Sequence, residues 1–248
     1  MSMSNASDLL LNTPLRNTTI PTTDPAAGLR VSEIFYSLQG EALTAGLPTV
    51  FIRLTGCPLR CVYCDTEYAF FGGERMSLED IIADVARYAC QRVCVTGGEP
   101  LAQPNTIALM RQLLGLGYEI SLETSGALDV CGVPPAVSKV MDIKTPSSGE
   151  VDKNLWANLA CLTTHDQLKF VIMNRTDYDW AKQVLARYDL ADKVGTVWFS
   201  PMFNVYADRP PEVPSLATEL AEWILADALP VRFQLQLHKI IWADAKGK

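Results

Sequence analysis

From Val31 onward the chain alternates short apolar runs with longer stretches of helical periodicity. The runs near 32–37, 49–55, 92–96, 119–123, 138–143, 167–173, 195–199 and 231–238 are β-branched or aromatic enough to be strands of a buried sheet. Helices are predicted between them. Ser77 and Thr176 start two of these, with Asp80 and Asp179 three residues on, the spacing at which a side chain caps exposed amide donors. Such alternation implies parallel strands joined by right-handed crossovers, and hence an α/β doubly wound sheet or barrel. No fixed-length repeat, low-complexity tract or linker divides residues 29–248, which read as one domain. Residues 1–28, rich in Ser, Thr, Asn, Pro and Ala, read as a flexible leader.

Composition narrows the function. With 248 residues and 48% hydrophobic positions, the chain carries enough apolar surface to fold around a core without disulfide staples. Asp and Glu number 28 against 21 Lys and Arg, a net charge of -7, whereas a nucleic-acid binder shows a basic excess. No apolar run is long enough to cross a bilayer, and the N-terminus offers only Leu9, Leu10 and Leu11 as a signal core. These features predict a cytoplasmic, unexported protein with neither nucleic acid nor membrane as a partner.

Polar oddities gather where the predicted strands end: Thr55-Gly56-Cys57, Thr96-Gly97-Gly98-Glu99-Pro100, Glu123-Thr124-Ser125-Gly126, Asp142-Ile143-Lys144 and Ser200-Pro201. In parallel α/β folds these ends share one rim, so five loops can converge on one pocket. One of them, Gly56 to Thr66, holds Cys57, Cys61 and Cys64 at C-x-x-x-C-x-x-C spacing. Three thiolates in a tight loop can take three corners of a [4Fe-4S] cube and leave one iron open. Structural zinc instead closes its tetrahedron with four ligands, and no second cysteine pair is in sequence reach, though Cys90, Cys94 or His165 could complete such a site. Cys90, Cys94, Cys131 and Cys161 lie singly in apolar stretches and read as structural.

The cysteine loop followed by Gly97-Gly98-Glu99-Pro100 resembles the radical S-adenosylmethionine enzymes. The resemblance implies a partial TIM-like (β/α)6 barrel of parallel strands. It also implies a cluster whose open iron binds S-adenosylmethionine and, when reduced, generates a radical that abstracts a substrate hydrogen. Gly97, Gly98 and Glu99 would then serve the methionine end of the cofactor, with glycines letting backbone carbonyls approach its ammonium. Tyr63 would pack near the adenine or cover the cluster.

A finer resemblance runs through Ser37-Leu38-Gln39-Gly40-Glu41, Pro48 to Cys57, Cys64-Asp65-Thr66, Glu123 to Gly126, Lys144 to Gly149 and Gln236-Leu237-His238-Lys239, so that it spans most of 31–242. These stretches are similar to the 7-carboxy-7-deazaguanine synthase family of queuosine and 7-deazapurine biosynthesis. That family converts 6-carboxy-5,6,7,8-tetrahydropterin to 7-carboxy-7-deazaguanine, loses ammonia and uses Mg²⁺. The resemblance implies that Leu38, Gln39 and Gly40 line the pterin, Glu41 binds its guanidine-like edge, Arg53 holds its carboxylate, and Thr96 and His238 touch it. It implies that Thr66 ligates Mg²⁺ with Asp65 orienting waters, and that Asp142, Lys144 and Ser200 join the cofactor site. It further implies a homodimer and a flavodoxin-like or ferredoxin-like electron donor.

The chain departs from the family pattern at three places. Asp142-Ile143-Lys144 replaces Ser-Pro-Lys, Gly40-Glu41-Ala42 replaces Gly-Glu-Gly, and Ala243 to Lys248 extend past the usual end. Two rivals share the cysteine loop: a glycyl-radical-enzyme activase, and a non-catalytic iron-sulfur electron-transfer module.

Overall fold

A computed structural model describes residues 28–203, 215–243 and 245–248. The expected leader therefore lies outside the described residues, Gly28 apart. Among the described residues nine strands form one sheet in the order β3-β1-β2-β4-β5-β6-β7-β8-β9. They are β1 Leu29–Leu38, β2 Pro48–Leu54, β3 Glu74–Met76, β4 Arg92–Gly97, β5 Glu119–Thr124, β6 Ser138–Asp142, β7 Gln167–Ile172, β8 Thr196–Pro201 and β9 Arg232–Phe233. From β2 through β4 to β9 every pairing is parallel, whereas β1 pairs antiparallel with both β2 and β3. The nine residues between β1 and β2 are too few for a crossover helix, which is why that pair runs antiparallel.

Four longer helices, α1 Leu78–Ala86, α2 Thr106–Gly115, α3 Arg175–Arg187 and α5 Leu216–Ala226, pack apolar faces on the sheet. Two shorter helices are α4 Leu190–Lys193 and α6 Leu237–Trp242. Ser77 caps α1 as predicted, its Oγ accepting from the Asp80 N–H at 3.0 Å. The cap of α3 is Asn174, not Thr176. The Asn174 side-chain Oδ1 accepts from the Asp177 N–H at 3.0 Å, because the chain turns helical one residue before Thr176.

Strand alternation decides what faces the site. Ile52, Leu54, Val93, Val95, Ile120, Leu122, Leu168, Phe170, Val197 and Phe199 belong to the helix-covered core. Their strand neighbours Arg53, Cys94, Thr96, Glu123, Lys169 and Ser200 point the other way and line a single cavity. Side chains from β2 to β8 can meet there only because the sheet curls into a partial barrel. At the opposite end of the strands Lys139 and Asp166 form a buried ion pair of 3.0 Å.

The scattered cysteines divide. Cys90 and Cys94 are buried free thiols, while Cys131 and Cys161 are joined in a disulfide, their Cα atoms 5.2 Å apart. That bond corrects the reading of all four as single structural thiols. It forms because Asn158 already ties the two segments together, accepting from the Val130 N–H and donating to the Gly126 and Leu128 carbonyls. No helix among the described residues is long and apolar enough to cross a membrane.

Candidate active site

The cavity measures about 260 Å³ and opens at the carboxyl ends of the parallel strands. One wall is the cysteine loop, pinned from several sides. The Gly56 N–H donates to the Ala69 carbonyl, the Val62 N–H to Ser148, the Arg60 N–H to the Glu150 carboxylate, and the Glu99 N–H to the Gly56 carbonyl. Leu59 anchors the loop in the core, and the Arg60 guanidinium bonds the Cys57 and Leu59 carbonyls while lying 4.3 Å over the Phe70 ring.

Cys57, Cys61 and Cys64 all line the cavity. Burial raises all three thiols, Cys61 to about 11, so they are protonated until a metal displaces the proton. Among the described residues no three His, Cys, Asp or Glu side chains are gathered around one metal-ion position. A mononuclear zinc site requires that convergence. Three soft sulfur donors on one loop suit a multi-iron cube, whose irons lie at separate corners.

Gly97 and Gly98 bind the strand end to this loop. Gly97 has φ +155 and runs against the Leu54 backbone, and a Cβ at Gly98 would collide with the Gly56 carbonyl oxygen and lie 2.8 Å from the Cys57 Cβ. The missing side chains are thus required by packing, and they leave both residues lining the cavity. Glu99 does not line it. Its buried carboxylate accepts from the Leu101 N–H, the Thr124 hydroxyl, and the N–H and hydroxyl of Ser125, so it braces two rim loops.

The remaining candidates separate in the same way. Gln39, Glu41, Arg53, Thr96 and His238 of the expected substrate set line the cavity, as do Tyr63, Asp142, Lys144 and Ser200 of the cofactor set and Thr66 of the metal set. Leu38 and Gly40 do not. Gly40 lies under the His238 ring, and His238 is on α6 rather than in a strand.

Arg53 uses Nε to pair with Glu33 at 2.7 Å, and Tyr68 donates to the same carboxylate oxygen at 2.8 Å. The two terminal guanidinium nitrogens are left for a ligand. Lys144 pairs with Asp142 at 2.9 Å, and the Thr66 hydroxyl donates to Asp65 at 2.7 Å. Burial holds the His238 imidazole below its ordinary value despite Glu41 and Asp65. Four buried polar atoms of cavity residues, Gln39 Nε2, Tyr63 Oη, Glu123 Oε1 and Asp142 Oδ1, have no hydrogen-bond partner among the described residues. Buried polar groups are seldom left so, and a polar ligand would supply their partners.

Residues 51–142 match the Radical SAM superfamily. The 7-carboxy-7-deazaguanine synthase of Koribacter versatilis is 42% identical over 88% of this chain and 100% of its own. That of Chlorobaculum tepidum is 42% identical over 89% and 98%. The chain belongs to the 7-carboxy-7-deazaguanine synthase family. The crystal structure of QueE from Escherichia coli, 23% identical, has the same fold, with a TM-score of 0.69 over 88% of this chain and all of that one.

Membership in the 7-carboxy-7-deazaguanine synthase family leaves no support for an activase or an electron-transfer module. It also directs attention to synthase cavity residues that sequence reasoning did not single out. Lys169, Gln236 and Phe51 line the cavity, and Glu123 enters it as an ionisable group, not merely as part of a turn motif. Alternation in Gln167-Leu168-Lys169-Phe170-Val171-Ile172 carried the signal for Lys169. Its apolar partners mark the core face, so the lysine must point into the barrel.

Proposed function

We propose that this protein is a radical S-adenosylmethionine enzyme of 7-deazapurine biosynthesis, converting 6-carboxy-5,6,7,8-tetrahydropterin to 7-carboxy-7-deazaguanine with loss of ammonia. The observation that carries the reading is the make-up of one cavity, lined by three thiols together with Gln39, Glu41, Arg53 and His238. Cys57, Cys61 and Cys64 would hold the [4Fe-4S] cluster, and the backbone at Gly97 and Gly98 with Tyr63, Asp142, Lys144 and Ser200 would hold S-adenosylmethionine. A cluster held there would supply, once reduced, the electron needed to cleave S-adenosylmethionine for hydrogen abstraction.

The chain's own groups bind and orient the substrate. Arg53, fixed through Nε by Glu33, offers its terminal nitrogens to the substrate carboxylate in the paired geometry that a guanidinium provides. Glu41 faces the N–H edge of the pterin, and the unpartnered Gln39 amide nitrogen donates to a ring acceptor. Thr66, oriented by Asp65, offers a hard oxygen to Mg²⁺ alongside water and substrate. The segment 234–238 closes the cavity over these groups, with Gln236 donating to Glu41 at 3.0 Å and to Asp65 at 3.4 Å.

Val62 in the cluster loop is 71% exposed, which favours electron delivery there by a flavodoxin-like or ferredoxin-like protein. Cytoplasmic residence and a homodimer belong to the same proposal. The deciding experiment is anaerobic incubation of the reconstituted protein with reductant, S-adenosylmethionine, Mg²⁺ and 6-carboxytetrahydropterin. Mass detection of the deazaguanine acid is expected. Cofactor cleavage without that product would refute the substrate assignment.

A further inference from the structure

Lys169 projects from β7 into the cavity between two carboxylates that arrive from distant parts of the chain. Its Nζ lies 2.9 Å from Glu41 Oε2, in the loop after β1, and 3.8 Å from Glu123 Oε2, near the end of β5. The first is a charged hydrogen bond and the second is only a Coulombic contact. The surroundings of the two acids differ in the same sense. Glu41 also accepts from the Gln234 and Gln236 amides, at 3.2 and 3.0 Å. Glu123 Oε1 is buried with no hydrogen-bond partner among the described residues.

The neighbouring charges reinforce the contrast. Asp142 on β6 faces the pair but is held by Lys144, Arg53 on β2 is held by Glu33, and His238 approaches Glu41 from α6. The polar cavity side chains from β4 and β8, Cys94, Thr96 and Ser200, carry no formal charge at neutral pH. Burial would raise Glu41, yet Lys169 and Gln236 outweigh it and bring the acid to about 2. For Glu123 burial prevails over Lys169 and, with Glu41 and Asp142 adding to it, pushes the acid up to about 7.

We infer that Lys169 is a positioning residue that separates the roles of two substrate-facing carboxyl groups, spending its hydrogen bond on Glu41 so that this group stays an acceptor, and leaving the buried Glu123, which it does not hydrogen-bond, to meet the substrate as a donor. This rests on the pterin assignment above. A reduced pterin presents an N–H edge together with carbonyl and ring-nitrogen acceptors. Two ionised carboxylates in one cavity would repel each other and offer acceptors alone.

The test uses the reconstituted, substrate-free enzyme and its Lys169→Met, Lys169→Arg, Glu41→Gln and Glu123→Gln variants. Infrared difference spectra against Glu123→Gln assign the protonated-carboxyl band of Glu123, which is then followed against pH. Lys169→Met is expected to move that titration upward by about one pH unit or more, and Lys169→Arg to leave it near the parent position. Glu41→Gln is expected to move it downward, since a negative neighbour is removed and the ammonium is released toward Glu123. Equilibrium binding of 6-carboxytetrahydropterin without reductant should weaken about tenfold or more in Lys169→Met, as for loss of a charged hydrogen bond, and recover in Lys169→Arg.

Unmoved titrations in both Lys169→Met and Glu41→Gln overturn the inference, as does Lys169→Arg binding no better than Lys169→Met. If Lys169→Met does not fold, Glu41→Gln decides alone, and an upward or absent shift overturns it. A parent enzyme that does not bind the pterin refutes the substrate reading instead, and the substrate-free titration still decides the role of Lys169.

Discussion

The imidazole of His238 occupies the space that a side chain on Gly40 would fill. A Cβ built on Gly40 overlaps His238 Nδ1 and comes within 2.9 Å of Cγ, while the Leu237 N–H donates to the Gly40 carbonyl at 3.0 Å. Gly40→Ala therefore displaces the ring and the start of α6 from the cavity. Pterin affinity should fall, while far-ultraviolet dichroism and cluster absorbance stay as in the parent. Unchanged affinity would show that His238 has no part in binding.

Arg53→Ala removes the proposed carboxylate clamp and leaves Glu33 bonded to the Tyr68 hydroxyl. The expected loss is about 10- to 100-fold in pterin affinity, the range for a charged hydrogen bond. Product formation should suffer more than uncoupled cleavage of S-adenosylmethionine. Arg53→Lys should restore little, because an ammonium lacks the planar fork. Equal loss of both activities in Arg53→Ala would argue against the clamp.

Thr66→Ala deletes a hydroxyl that lines the cavity and is aligned by Asp65. Turnover should become less responsive to added Mg²⁺. A titration curve that superposes on that of the parent removes Thr66 as a ligand.

Burial carries Glu123 from 4.5 to about 7 in the fold. Between those values the native protein keeps a proton that the unfolded chain releases, so this group's contribution to stability falls as pH rises through the window. Gln at the position does not ionise. Glu123→Gln should accordingly gain on the parent in denaturant unfolding between about pH 5 and pH 8. A gain that shrinks with pH contradicts the raised acid.

The Cys131–Cys161 bond closes a loop with a sequence separation of 30. On chain-entropy grounds its loss costs about 3 to 4 kcal/mol. Thiol reductants should lower the melting temperature of the parent and not that of a Cys131→Ala, Cys161→Ala double variant. Identical reductant responses would mean that the bond does not hold the native state.

The sheet was legible where apolar runs are long, since β-branched positions in β2, β4, β7 and β8 leave one face with no option but the core. Direction was less legible. Residues 39–47 are too short for a crossover, yet the alternation in β1 looks the same whichever way it runs. β3 was missed because Glu74-Arg75-Met76 is short, charged and held only at the sheet edge. The 231–238 run alternates like a strand, but only Arg232 and Phe233 pair with β8. Gln234 and Gln236 turn instead to Glu41, and the chain bends into α6.

At the site, the thiol spacing and glycine-rich strand end carried the chemistry in the sequence itself. Glu99 was read as a ligand because its saturation by four internal donors depends on a fold in which β5 ends beside β4. The change from glycine to Ala42 also gains meaning only in three dimensions. Ala42 holds φ 65, a left-handed backbone that costs a residue with a Cβ about 1 kcal/mol.

The Glu99 carboxylate acts as a strut between the Gly97-Gly98 loop and the Thr124-Ser125 loop. Because several donors share that one anion, losing a single hydroxyl should loosen the frame only slightly, whereas losing the anion frees both loops at once. The spacing of the two halves of the reaction chamber is thus set below its floor, by a residue that need never meet the molecules reacting above it.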